Sequence, residues 1–206
     1  MKTILLPTSY LAPISYYALL LGADKIEIEL FEHFQKQTTR NRCSIYSPNG
    51  LQQLVIPLDG RKDKSLTKEI RISNGNHWQK LHWRSFESAY RSSPYFEFYE
   101  DDLKRFYTDE YDLLFEFNTA LQNKILDLLK IKKEFSYTTE YKKVPTGIAD
   151  HRDHLSKKNL AELKNFPRYI QVFEDKFGFL PNLSIADLLF DLGPQATEYL
   201  QTINRE

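Results

Sequence analysis

The stretch TILLPTSYLAPISYYALLLGADKIEIEL, residues 3–30, decides the fold class. Thr3 to Leu6 is a short apolar run that reads as a strand. Ala12 to Gly22 reads as a helix, because Pro13 is tolerated in a first turn and Gly22 suits a helix end. In the next run Ile26, Ile28 and Leu30 alternate with Glu27 and Glu29, the period of a strand with one buried face. Strand, helix and strand at this spacing predict a βαβ unit. Such a unit favours parallel pairing and a ligand site at the carboxyl ends of the strands.

Further along, Arg40 to Tyr46 and Gln52 to Leu58 read as a hairpin, joined by the turn residues SPNG at 47–50. A charged loop, DGRKDKS at 59–65, leads to a brief strand over Glu69 to Ile72. Helices follow to about residue 131. Asn76 is placed to cap the first, with Trp78, Leu81, His82, Phe86 and Ala89 on one stripe, and Thr108 to cap a longer one whose apolar face runs from Leu114 to Leu128. Residues 132–165 are rich in charge and read as a mobile loop or lid. In PNLSIADLLFDLGP, residues 181–194, Ser184 and Asp187 form a helix-start pattern and Gly193-Pro194 a stop. The expected architecture is one α/β domain over residues 1–206. A short mixed sheet comes from residues 1–75, helices from 76–131, the loop from 132–165, and the last helices from 166–206.

The 206 residues are 41% hydrophobic, which suits one sizeable core. With 28 basic and 28 acidic residues there is no global field to hold nucleic acid or an anionic membrane, so any anion site must be local. The single cysteine, Cys43, excludes an internal disulfide and suits a reducing cytoplasm. The apolar stretch from Tyr10 to Leu21 is too short to span a bilayer.

Charge is concentrated in KQTTRNR, residues 36–42. If that run is extended, Lys36, Arg40 and Arg42 share one face, where they repel unless they meet water or an anion. A solvated strand face and a phosphate or carboxylate site are both compatible with the pattern. In HWQKLHW, residues 77–83, Trp78 and His82 stand one helical turn apart. They read either as core or as a stacking ring beside a proton carrier. DHRDH, residues 150–154, offers Asp150 with His154, or His151 with His154, to a metal, but nothing elsewhere is forced to complete the shell, so no metal is expected. Cys43 reads as a small buried side chain or, beside the basic run, as a nucleophile. No glycine-rich phosphate loop and no G-x-S-x-G element occurs, and no cofactor is indicated.

LPTSYLAPISYY at 6–17, the QKQTTRNR segment, the strand ending in VIPL, the block from Ile70 to Tyr99 and PNLSIADLLFDLG together resemble the WbqC-like family of bacterial proteins, in order over nearly the whole chain. The resemblance implies a setting in surface-polysaccharide or O-antigen assembly and a transferase activity. The family's recurrent basic block corresponds to Lys36, Thr39, Arg40, Asn41 and Arg42, and its W-x-x-x-H element to Trp78 and His82. Thr39 and Arg40 stand where an Asn-Arg pair is common. A weaker similarity to H-x-G-H nucleotidylyltransferases lacks the two histidines, since none precedes His33.

The reading that results is a cytoplasmic transferase for a nucleotide-activated or other anionic small substrate. Lys36, Arg40 and Arg42 would hold the anion, Asn41 would orient it, Trp78 would stack and His82 would act as acid or base. The alternative is a non-catalytic binding or scaffold subunit of a glycan pathway. Neither nucleic acid nor membrane insertion belongs to either reading.

Overall fold

A computed structural model describes residues 2–60, 64–153 and 166–203. The βαβ start forms as expected. Strand β1 (Thr3–Pro7) leads through helix α1 (Ile14–Leu21), flanked by Pro13 and Gly22, to β2 (Lys25–Glu29), which pairs with β1 in parallel, Ile4 opposite Ile26 and Leu6 opposite Ile28.

The sheet has four strands in the order β7-β2-β1-β8. Its outer strands, β7 (Phe135–Tyr137) and β8 (Ala149–Asp150), both run parallel to their neighbours. Both come from the segment read as a loop. Runs of three and two residues are too short to show a period, and pairing with a preformed edge supplies their strand geometry. Residues 154–165 of that segment lie outside the described residues. Because the chain steps from β1 to β2 on one side and reaches β8 on the other, the carboxyl ends of β1 and β8 mark the switch point where α/β sheets open a crevice.

The hairpin forms a separate antiparallel ladder of β3 (Arg42–Ser47) and β4 (Gly50–Val55). At its turn Gly50 takes φ +91°, a value that favours glycine, and the Ser47 hydroxyl donates to the Gly50 carbonyl. A second ladder joins β5 (Leu58–Asp59) to β6 (Arg71–Ile72).

Helices α2 (Trp78–Tyr90), α3 (Phe96–Lys104) and α4 (Leu114–Leu128) follow. Two expected caps fail for local reasons. Asn76 closes a 3₁₀ turn, and His77 at φ +48° precedes α2. The Thr108 hydroxyl donates back to the Arg105 carbonyl, and α4 begins only at Leu114, whose N–H donates to the Ile70 carbonyl. The chain ends in α5 (Glu174–Phe177), α6 (Ile185–Leu192) and α7 (Ala196–Ile203). Ser184 caps α6 as expected, its hydroxyl accepting from the Ala186 N–H.

The buried core joins Ile4, Leu6, Ile26 and Ile28 of the sheet to Ile45 and Leu54 of the hairpin and to an aromatic layer of Phe86, Tyr90, Phe96, Phe117 and Phe190. Among the described residues, no helix is long and apolar enough to cross a membrane.

Candidate functional site

The basic segment does not run as a strand. Residues 36–41 form turns, Gln37 takes φ +60°, and the strand begins only at Arg42, so the alternation that would align Lys36, Arg40 and Arg42 does not arise. The turn sends the three cations to different environments. Lys36 is exposed.

Arg40 points inward and is 1% exposed. Its Nε donates to Glu32 Oε1 at 2.6 Å, a second nitrogen lies 2.5 Å from the same oxygen, and Nη1 donates to Thr38 Oγ1 at 3.2 Å. A buried guanidinium needs such a partner, because unpaired charge in the interior costs several kcal/mol, on the order of 3–5. Burial pushes the Glu32 carboxyl up, and Arg40 opposes that shift. Asn41 is also buried, donating from Nδ2 to the Ile56 carbonyl at 2.9 Å. Asn118 holds the Arg40 carbonyl at 2.8 Å. Arg40 and Asn41 therefore brace the turn.

Arg42 differs. It lines a cleft of about 400 Å³ together with Thr38, Thr39, Ser44, Gln53 and Asn182. Its Nη1 donates to Gln53 Oε1 at 3.2 Å, but Nε has no hydrogen-bond partner, and neither has the Thr39 hydroxyl. The Thr39 carbonyl, by contrast, accepts from the Tyr10 N–H at 2.9 Å, the Ser9 hydroxyl at 3.2 Å and the Arg42 N–H at 3.4 Å, which fixes the loop after β1 against the turn. The start of α6 borders the same cleft through Ser184. Its first amides are already bonded to Ala12 and to Ser184, so the cleft's donors are side chains.

Trp78 and His82 stand in the aromatic layer. His82 is 5% exposed, its Nδ1 lies 2.9 Å from the Tyr10 hydroxyl, and the ring also hydrogen-bonds the Val55 backbone. Trp78 packs edge-on against His82 and Phe117. Burial lowers the His82 pKa to about 4, opposed by the Val55 bond, so the imidazole is neutral near pH 7. The Tyr10 hydroxyl also meets that of Tyr107 at 2.9 Å and bonds the Cys43 side chain. Burial pushes the Cys43 thiol up, the opposite of what an activated nucleophile requires.

A network missed in the sequence closes the switch point of the sheet. The alternation along β2 predicts an outward-facing Glu29, yet it is fully buried. It accepts from the Phe31 N–H at 2.7 Å, the Thr138 hydroxyl at 2.9 Å and Arg152 at 3.1 Å. Asp150 grips the same guanidinium, with Nε at 2.9 and 3.1 Å and Nη2 at 2.6 Å. Those bonds hold the Asp150 carboxyl below its ordinary pKa, so this member of the DHRDH group is an ion-pair partner. His154 lies outside the described residues. No local pattern signals the Glu29–Arg152 contact, because its partners are 123 residues apart.

The sequence profile of the WbqC-like protein family matches residues 8–159, which include the turn, the cleft residues up to Gln53, Trp78, His82 and Arg152. A Mycobacterium tuberculosis (strain ATCC 25618 / H37Rv) protein, named only "Uncharacterized protein Rv1507c", is 26% identical over an alignment of 230 residues that covers 97% of each chain. No solved structure matches.

Proposed function

This chain belongs to the WbqC-like protein family, and on that premise we propose that it is a cytoplasmic transferase, acting as one domain, for a nucleotide-activated or other anionic small substrate in bacterial surface-glycan assembly. The observation that carries the reading is the pair of unsatisfied donors, Arg42 Nε and Thr39 Oγ1, in residues that line one cleft. A guanidinium and a hydroxyl group in residues that line one cleft, each keeping an unpartnered donor just beneath its surface, suit a phosphate or carboxylate. Arg40 and Asn41 shape the turn that carries Thr39. Trp78 and His82 act as positioning residues through Tyr10, whose N–H holds the Thr39 carbonyl.

A second reading, a non-catalytic binding subunit, is favoured by one feature. The described residues lining the cleft include no carboxylate and no imidazole to move a proton.

Calorimetric titration with nucleotide sugars and inorganic phosphate tests the site. Binding should weaken as salt rises, and Arg42→Ala should lose about 1.5–3 kcal/mol of affinity, the range for a hydrogen bond to a charged group. Anion binding equal in Arg42→Ala and wild type would remove the site. Binding without any product detected by mass spectrometry across a panel of sugar acceptors would select the subunit reading.

A further inference from the structure

The second half of PNLSIADLLFDLGP builds a different site at the opposite end of α6. Asp187 and Asp191 lie one turn apart on that helix, and both are buried. Asp187 is saturated. It accepts from the Tyr90 hydroxyl at 2.8 Å, the Tyr169 hydroxyl at 2.5 Å and Gln171 Nε2 at 3.0 Å. Asp191 is 8% exposed, and its Oδ2 has no hydrogen-bond partner. A buried carboxyl oxygen left without a donor costs about 1–3 kcal/mol once ionised, a cost that a cationic ligand would offset.

Asp191 borders an open cleft of about 1070 Å³. The cleft's charged lining is Asp191, Glu174, Asp175 and Glu198 against Arg168 alone, and Arg168 is paired with Glu174. Asp191 also sits in the last turn of α6, where the helix dipole disfavours a carboxylate and favours a cation. Ser92, Gln195 and Thr202 add hydroxyl and amide groups, and the Tyr95 ring forms an apolar wall. That wall depends on Gly193. A Cβ there would fall 2.5 Å from the Tyr95 ring, and φ is +52°.

We infer that this cleft binds a hydroxylated primary ammonium compound of amino-sugar size, whose cationic group pairs with the Asp191 carboxylate while its apolar face lies on Tyr95. A compact cation gives that carboxylate a counter-charge and balances the acidic lining. Among the described residues no group of three or more His, Cys, Asp or Glu side chains is placed to hold a metal ion, which favours an ammonium over a divalent cation. In the free protein burial and the neighbouring Asp187 push the Asp191 carboxyl up to about 9, so near pH 7 binding of a cation expels its proton. The ionisable groups that act on it are Asp187, Tyr90 and Tyr169, with Tyr199, Glu198 and Arg168 on the cleft side. The site is independent of Arg42 and stands or falls apart from the anion cleft.

The test is calorimetric titration of the full chain at pH 7 with D-glucosamine, and with D-glucose and N-acetyl-D-glucosamine as uncharged controls, in buffers of different ionisation enthalpy. The expected result is binding of glucosamine only, release of close to one proton per ligand, and an affinity about ten- to a hundredfold weaker in Asp191→Asn. Equal binding of the three sugars, binding without proton release, or no binding by wild type would overturn the inference, and none of these needs the variant to fold. Stabilisation by magnesium or calcium ions that disappears in Asp191→Asn would replace the ammonium with a metal.

Discussion

Arg40 Nε and Glu32 Oε1 meet at 2.6 Å, in side chains that are 1% and 4% exposed, and this pair turns the most basic-looking segment of the chain into an internal brace. Removing one partner strands the other charge in the interior. Arg40→Ala should therefore destabilise the fold by about 3–5 kcal/mol in urea denaturation, and Arg42→Ala by less than about 1 kcal/mol. Glu32→Gln combined with Arg40→Met should recover part of the loss, because no charge is then left unpaired. Equal, small effects of the two arginine variants would mean that Arg40 is solvated.

His82 sets a pH signature. Its folded pKa of about 4 lies below the ordinary value of 6.5, so its contribution to stability is complete above pH 6.5 and is lost as pH falls towards 4. Subtracting the His82→Gln stability curve from that of wild type isolates the term, which should amount to about 3 kcal/mol across this window. A flat difference curve would place the imidazole in water.

Asp191 predicts the opposite sign. A carboxyl raised from 3.8 to about 9 favours folding while protonated, so stability is full below pH 3.8 and declines as pH rises towards 9. Asp191→Asn should be more stable than wild type at pH 8, by several kcal/mol, with the gain shrinking towards pH 4. Thermal unfolding at the two pH values checks this. A less stable variant at pH 8 would show that the carboxylate is satisfied within the protein.

Gly193→Ala should destabilise by about 1–3 kcal/mol or more, since it strains a left-handed backbone and drives a methyl group into the Tyr95 ring. Adding Tyr95→Ala should relieve the clash but not the backbone strain, giving partial recovery. No recovery would assign the whole loss to φ.

Local order was legible wherever a side-chain pattern repeats along the chain. The apolar run at Ile4 to Leu6, the alternation over Ile26 to Leu30 and the SPNG turn predicted the βαβ start and the hairpin, because period and turn chemistry act between near neighbours. Ser184 is likewise a cap by virtue of residues beside it. The short strands β7 and β8 were not legible, since partners more than 100 residues away in β2 and β1 make them strands. The fate of each charge was equally hidden. Arg40, Arg42, Glu27 and Glu29 look alike as letters, but burial and distant partners such as Glu32 and Arg152 decide which become internal ion pairs and which line a cleft. The sequence by itself determined the βαβ start, the hairpin, the main helices and the family; the tertiary structure alone decided which polar atoms are left without a partner, because desolvation depends on everything packed around a group, not on its place in the chain.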